Sequence, residues 1–239
     1  VPDPRTKPSS IFVTALDTNP LAADPEPLLL ARLDDLRAGL HVLSLLTEGN
    51  VNLCLAPGSE LLDKVDDQPA IVSHQFEGIH PAGLPGTHIH FIDPVSASKT
   101  VWYLNYQDVI AIGHLFLTDQ IDSERVLSLA GPGAKEPKLL RTYLGGSLDD
   151  ITAGELFDGE QRIISGSVLS GRGAKEAAAF LGRYHLQVSV LPEDRRRKVA
   201  GWLSPGLRAH SVFPIYLSKW LGERNVDFST AMASPRPIV

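Results

Sequence analysis

The chain has 239 residues, 43% of them hydrophobic, with 22 Lys and Arg against 28 Asp and Glu and a formal net charge of -6. That length can bury a sizeable core in one large domain or two smaller ones, and the acidic balance leaves no broad basic field for nucleic acid. Cys54 is the only cysteine, which excludes a disulfide framework, a zinc ribbon and an iron–sulfur cluster, and no apolar run approaches the ~18 residues of a membrane helix.

Residues 1–10, VPDPRTKPSS, read as a proline-rich linker with no signal peptide. A start at Val1 rather than Met points to a fragment of a longer protein or a processed one. IFVTAL, from Ile11, is β-rich and apolar, as a strand buried on both faces should be. DTNPLAADPEP then supplies turn chemistry. From about Pro27 to Thr47, Leu29, Leu33, Leu36, Leu40 and Leu43 line one face of an expected helix, with Gly49 as its stop. VNLCLA is a second buried strand, with Cys54 an inert thiol inside it. This strand–helix–strand unit predicts a parallel α/β core.

AIVSHQF reads as a third strand, and HPAGLPGTHIHFIDPV, His80 to Val95, as a loop. KTVWYLN is a further strand, and YQDVIAIGHLFLTD a helix with Val109, Ile112 and Phe116 on one face. Composition shifts near Ser123, so 11–122 is expected to be one domain. RVLSLAG, KLLRTYL, the short helix SLDDIT capped by Ser147, and QRIISGSVLSG suggest a small β-grasp-like module over 123–175. In 176–239, YHLQVSVL and KVAGWLS read as an antiparallel pair across a solvated basic turn, Arg195 to Lys198, followed by a short helix, IYLSKWLGE, and a tail.

Three chemistries can be weighed on residues alone. A dinucleotide site wants glycines between the first strand and first helix, so that backbone approaches the pyrophosphate. Here the turn is Asp17-Thr18-Asn19-Pro20, with no glycine, an acid that repels phosphate and a proline without an N–H. A metal site could draw on His80, His88 and His90, the last two facing one way if extended, but only Glu77 and Asp93 lie nearby to complete it. Ser165, Ser167, Ser170 and His185 do not form the G-x-S-x-G elbow of a hydrolase.

Six segments, in order, carry a resemblance: IFVTALDTNPLAADP, HPAGLPGTHIHFIDPVS, NYQDVIAIGHLFLT, ERVLSLAGP, ISGSVLSG and LGRYHLQVSVL. Between about Ile11 and Trp202 the chain resembles NqrA, the family of A subunits of the sodium-translocating NADH:quinone oxidoreductases. The resemblance implies a six-subunit complex of the bacterial inner membrane that passes electrons from NADH to ubiquinone and exports Na⁺. The A subunit would be its soluble, peripheral, cytoplasm-facing member, docked chiefly on the membrane-embedded B subunit. It also implies a Rossmann-like domain followed by an SLBB-type β-grasp domain, similar to the NADH-binding subunit of respiratory complex I and the C subunit of the Rnf complex. The family's N-terminal lipoyl-like and C-terminal helical domains are not recognised in these residues. The glycine-rich flavin loop and cluster cysteines of the complex I relative are missing, so its redox sites do not carry over.

The expectation is therefore a redox-silent subunit, with no catalytic, metal or cofactor residue of its own and with NADH, flavins, iron–sulfur and ubiquinone handled elsewhere in the complex. Its candidate quinone-contacting or interface residues are His80, Gly83, Pro85, Gly86, Thr87, His88, His90, Phe91, Trp102 and Tyr103: His88 or His90 would donate to a quinone carbonyl, and Phe91, Trp102 or Tyr103 would stack on its ring. The alternatives are a chain that binds quinone or flavin itself, and a free-standing cytosolic α/β binding protein.

Overall fold

The computed structural model describes residues 5–65, 69–195, 205, 217–220 and 230. The architecture is α/β and holds two sheets. The first contains β1 (Ser10–Thr14), β2 (Val51–Leu55), β3 (Ile71–Gln75) and β4 (Val101–Asn105), ordered β3-β2-β1-β4. All three pairings are parallel, with Phe12 opposite Asn52 on one side and Tyr103 on the other. β2 is buried along its whole length and β1 along all but Thr14, which is why both read as unbroken apolar runs.

On one face, Ile11, Val13, Leu53 and Leu55 pack against α1 (Glu26–Ala31), α2 (Leu33–Ser44) and α5 (Tyr106–Thr118). The leucine stripe is real: Leu29, Leu36, Leu40 and Leu43 are buried, and Leu33 packs beside them. It does not lie on one helix, however. The backbone breaks at Arg32 (φ -120°, ψ 36°), and its side chain turns away to Asp35 and Asp122. Nor does Gly49 stop the helix, since α2 ends at Ser44. Gly49 lies where a Cβ would come within 2.0 Å of the Ser9 carbonyl oxygen, so its missing side chain lets two chain segments touch.

Two other glycines bring α2 and α5 together. A Cβ on Gly39 would sit 2.1 Å from the Val109 carbonyl oxygen, and one on Gly113 would sit 1.7 Å from that of Asp35. Val109 is accordingly buried and Ile112 packs on the core, whereas Phe116, expected on the same face, is exposed. The opposite face of the sheet is thinner. There Phe12, Leu16 and Cys54 pack under Ile89 and Ile92 of a single helix, α4 (Pro85–Ile92). A four-residue helix, α3 (Leu62–Val65), leads towards β3.

The second sheet is mixed, ordered β6-β5-β9-β7-β8. Its strands are β5 (Glu124–Ala130), β6 (Lys138–Tyr143), β7 (Gln161–Ser165), β8 (Arg172–Gly173) and β9 (Gln187–Pro192). Helix α6 (Leu148–Thr152) starts at Ser147, whose hydroxyl accepts from the Asp150 N–H at 3.3 Å. Leu127, Leu129, Leu148, Val188 and Val190 form its core. β9 does not stand apart in a hairpin. It lies inside this sheet, parallel to β5 and antiparallel to β7. The partner expected for it, 198–204, lies outside the described residues. Of the basic run only Arg195 is described, paired with Glu160, and of the late helix only Leu217–Trp220, a short 3-10 turn.

Candidate functional site

The segment expected as a loop is half helix. Leu84 is extended (φ -84°, ψ 140°) and Pro85 occupies the first helical turn of α4. Proline lacks only an N–H that the first turn leaves unpaired anyway. This corrects the geometry of the histidines. Two positions along a strand share a face, but two positions along a helix lie roughly 200° apart. His88 therefore points inward and is fully buried, while His90 is exposed with its ring edge-on to exposed Phe91, centroids 5.1 Å apart.

His88 is committed to the fold. Its Nε2–H donates to the Ala82 carbonyl at 2.8 Å, and its ring lies 4.2 Å from that of Phe76. Burial holds its pKa below the ordinary histidine value, the hydrogen bond to Ala82 pulls it up and the nearby His74 pushes it down. Nδ1 is buried without a partner, which a neutral ring tolerates and a protonated one does not. The turn before α4 is fixed from the end of β1. Thr18 Oγ1 accepts from the Gly83 N–H at 2.8 Å and lies 3.5 Å from His80 Nδ1. A Cβ on Gly83 would meet the Thr18 nitrogen at 2.7 Å, so only glycine fits. Thr87 Oγ1 donates to the Pro81 carbonyl at 2.9 Å, and Gly86 faces open space.

The two aromatic residues of β4 are split. Tyr103 pairs in register with Phe12, points to the α4 side and is 61% exposed. Trp102 pairs with Ile11 and packs into the core on the other side of the sheet. Trp102 therefore cannot stack on a ring held by His90, Phe91 or Tyr103. His90, Phe91 and Tyr103, with Ile79 and Val95 in flanking segments, are the exposed aromatic and large apolar side chains of α4 and its surroundings. Asp93, considered as a metal ligand, is occupied by the Ser10 hydroxyl at 2.6 Å and by Lys99. Among the described residues no three His, Cys, Asp or Glu side chains are grouped to hold a metal.

A parallel sheet of this kind holds ligands where strand order reverses, outside the C-terminal ends of the strands. Here that crevice lies between β1 and β4. One wall is the turn after β1. Asp17 Oδ1 accepts from both the backbone and side-chain nitrogens of Asn19, each at 2.8 Å. Two successive carbonyls of the turn are held by the second sheet: Gln187 Nε2 donates to Pro20 at 3.0 Å and Ser128 Oγ to Leu21 at 2.8 Å.

The other wall is the start of α5. Gln107 acts there as a short piece of strand: its amide nitrogen donates to the Val126 carbonyl at 2.6 Å, and its amide oxygen accepts from the Val126 N–H at 3.0 Å. Asp108 receives Arg125 at 2.7 Å and Arg183 at 2.8 Å, both on Oδ1. Polar groups from the second sheet thus engage both walls of the crevice.

Sequence reading missed this junction. Gln107, Asp108, Arg125 and Arg183 are isolated polar residues, up to 75 positions apart among bonded pairs. The one local signal is Asn105 three residues before Asp108, the spacing of a helix cap. The Ser165–His185 contact is also closed. Ser165 is fully buried, with its hydroxyl 2.8 Å from His185 Nδ1 and accepting from the Gly182 N–H at 2.9 Å. No substrate reaches a serine so enclosed.

Residues 1–121 match a family model described as the NqrA second alpha/beta domain, and residues 126–176 one described as the NQRA C-terminal domain. Similar proteins include the A subunit of the Na(+)-translocating NADH-quinone reductase of Marinomonas sp. (strain MWYL1), 52% identical over 96% of this chain and 51% of that protein. The same protein from Pseudomonas aeruginosa (strain PAO1) is 51% identical over 100% of this chain and 53% of its own length, and that from Histophilus somni (strain 2336) 55% identical over 89% and 47%. The chain spans about half the length of the curated relatives it matches. Among solved structures, an NAD+-reducing [NiFe]-hydrogenase in the air-oxidized state superposes with a TM-score of 0.55 at 14% identity, over 80% of this chain and 41% of that one. The likeness is one of fold.

Proposed function

We propose, from the premise that this chain belongs to the NqrA family, that it acts as a non-redox part of the A subunit in a sodium-translocating NADH:quinone reductase. Residues 11–122 would be the Rossmann-like domain of that part, and residues 123–175, completed by β9, its SLBB-like domain. It would sit on the cytoplasmic face of the membrane and support quinone reduction and Na⁺ export without carrying an electron. No helix among the described residues is long and apolar enough to cross a membrane, which suits a peripheral position.

The observation that carries this reading is the crevice between β1 and β4. Where a dinucleotide would place its pyrophosphate, the turn carbonyls of Pro20 and Leu21 are tied to Gln187 and Ser128. Arg125 and Arg183 close on Asp108 at the other wall. Flavin or nicotinamide bound there would have to separate the two sheets. An absorbance spectrum of the purified chain tests this: no visible absorption is expected, and a flavin spectrum overturns it.

For docking on the membrane-embedded partner, the surface that fits best is the outside of α4, with Ile79, Phe91, Val95 and Tyr103 exposed. Phe91→Glu with Tyr103→Glu in the whole NqrA protein should reduce its co-purification with that partner; unchanged recovery rejects this surface. A second reading uses the same place for quinone. The exposed His90 imidazole beside the Phe91 ring joins a hydrogen-bond donor to an aromatic face, the pairing a quinone head group would use. Saturation-transfer NMR with a soluble quinone, on wild type and His90→Ala, separates the two readings.

A further inference from the structure

The start of α5 gathers two guanidiniums on one carboxylate oxygen. α5 runs for 13 residues directly from the end of β4, at the reversal of strand order. A helix of that length presents unpaired N–H groups and partial positive charge at its start, and doubly wound folds bring a ligand's anion to that end. In this chain the first turn carries Asp108, only 9% exposed. Its N–H is taken by Asn105 Oδ1 at 2.9 Å, and its Oδ2 accepts from Asn105 Nδ2 at 2.7 Å.

Its Oδ1 receives Nη2 of Arg125 at 2.7 Å and Nη1 of Arg183 at 2.8 Å. Both guanidiniums come from the second sheet and its connections, 17 and 75 positions away in sequence. Arg125 is 97% buried and still has an unpartnered Nε. Burial first, and then the charge of Arg183, hold the Arg125 pKa below its ordinary value against the opposing pull of Asp108 and the nearby Asp122. Two guanidiniums and a helix N-terminus around one carboxylate are the donor set of an oxyanion site.

We propose that this is an oxyanion site which the chain fills with its own carboxylate: Asp108 stands where a ligand's anion would lie, and so locks the second sheet onto the crevice. Removing that carboxylate leaves a hole of matching charge for a small carboxylate or phosphate. The inference does not depend on membership of any complex.

Chemical rescue tests it on the chain as it is. Asp108→Ala should lower the melting temperature by roughly 10 °C. Millimolar formate or inorganic phosphate, at ionic strength held constant with chloride, should restore at least half of that loss and leave wild type unmoved. Adding Arg183→Ala to the variant should abolish the rescue. Rescue by either anion supports the proposal, and rescue by formate alone sizes the hole for a carboxylate. An equal response of wild type and variant overturns it, as does rescue that survives loss of Arg183. If Asp108→Ala does not fold unaided, it is refolded from denaturant with and without formate. Recovery only with the anion supports the proposal, and no recovery with any anion overturns it.

Discussion

Two regions flank the first sheet, and they use polar chemistry in opposite ways. At the β1–β4 crevice, Gln107, Asp108, Arg125, Ser128 and Gln187 are buried, and all are bonded across to the other sheet or its connecting turn. At α4 the polar groups that point inward, His88 and the Thr18 hydroxyl, serve the turn itself, while apolar Phe91 and Tyr103 face solvent. The place where this fold customarily keeps a ligand is spent on self-assembly. The exposed apolar surface lies elsewhere, on and around the outside of one eight-residue helix.

The largest effects are expected at the junction. Arg125→Ala should cost about 3 kcal/mol, because it leaves the nearly buried Asp108 carboxylate with half-exposed Arg183 as its one guanidinium; chemical denaturation measures it, and a loss below about 1 kcal/mol would mean the junction is wetter than its burial indicates. Gln107→Leu should follow at about 2 kcal/mol, since it leaves both the N–H and the carbonyl of Val126 without a partner. Gln107→Glu retains only the acceptor and should fall between wild type and Gln107→Leu.

The α4 side responds to pH. Burial depresses the pKa of His88 and of His74 in the folded chain. The unfolded chain therefore binds protons first as pH falls below about 6.5, so stability is full above that value and lost on acidification towards the folded-state pKa. Melting temperatures between pH 8 and pH 5 should decline, and His88→Gln should flatten the slope while lowering the plateau. A slope unchanged in His88→Gln would remove His88 as its source. The smallest effect is expected at Phe91→Ser. An exposed side chain with no burial to lose should change stability by less than about 0.5 kcal/mol. A larger drop would show that Phe91 packs within the chain and is not held out for a partner.

What the sequence discloses and what it hides divide along the same line. Apolar runs such as IFVTAL and VNLCLA disclose their strands because burial on both faces selects every residue in them. The break at Arg32 stays hidden because the leucine spacing continues through it, and spacing does not register one residue of altered backbone. α4 hides behind its own start signal. Pro85 opens a helix, yet among Pro81, Gly83 and Gly86 it reads as one more turn residue. That misreading put His88 and His90 on one face, when helical geometry puts one inside and the other out. The crevice contacts are invisible for a different reason. Gln187 to Pro20 spans 167 positions, and nothing local marks either end.

The glycine contact between α2 and α5 has a mechanical consequence. At Gly39 and Gly113 the helices meet backbone to backbone, with only the stiff, branched Val109 side chain beside the first contact, so little there can yield by changing rotamer. A push that shifts α2 must carry α5 along, and Gln107 and Asp108 at its leading turn hand that displacement to the strand beginning at Glu124. The pair acts as a pushrod between the sheets.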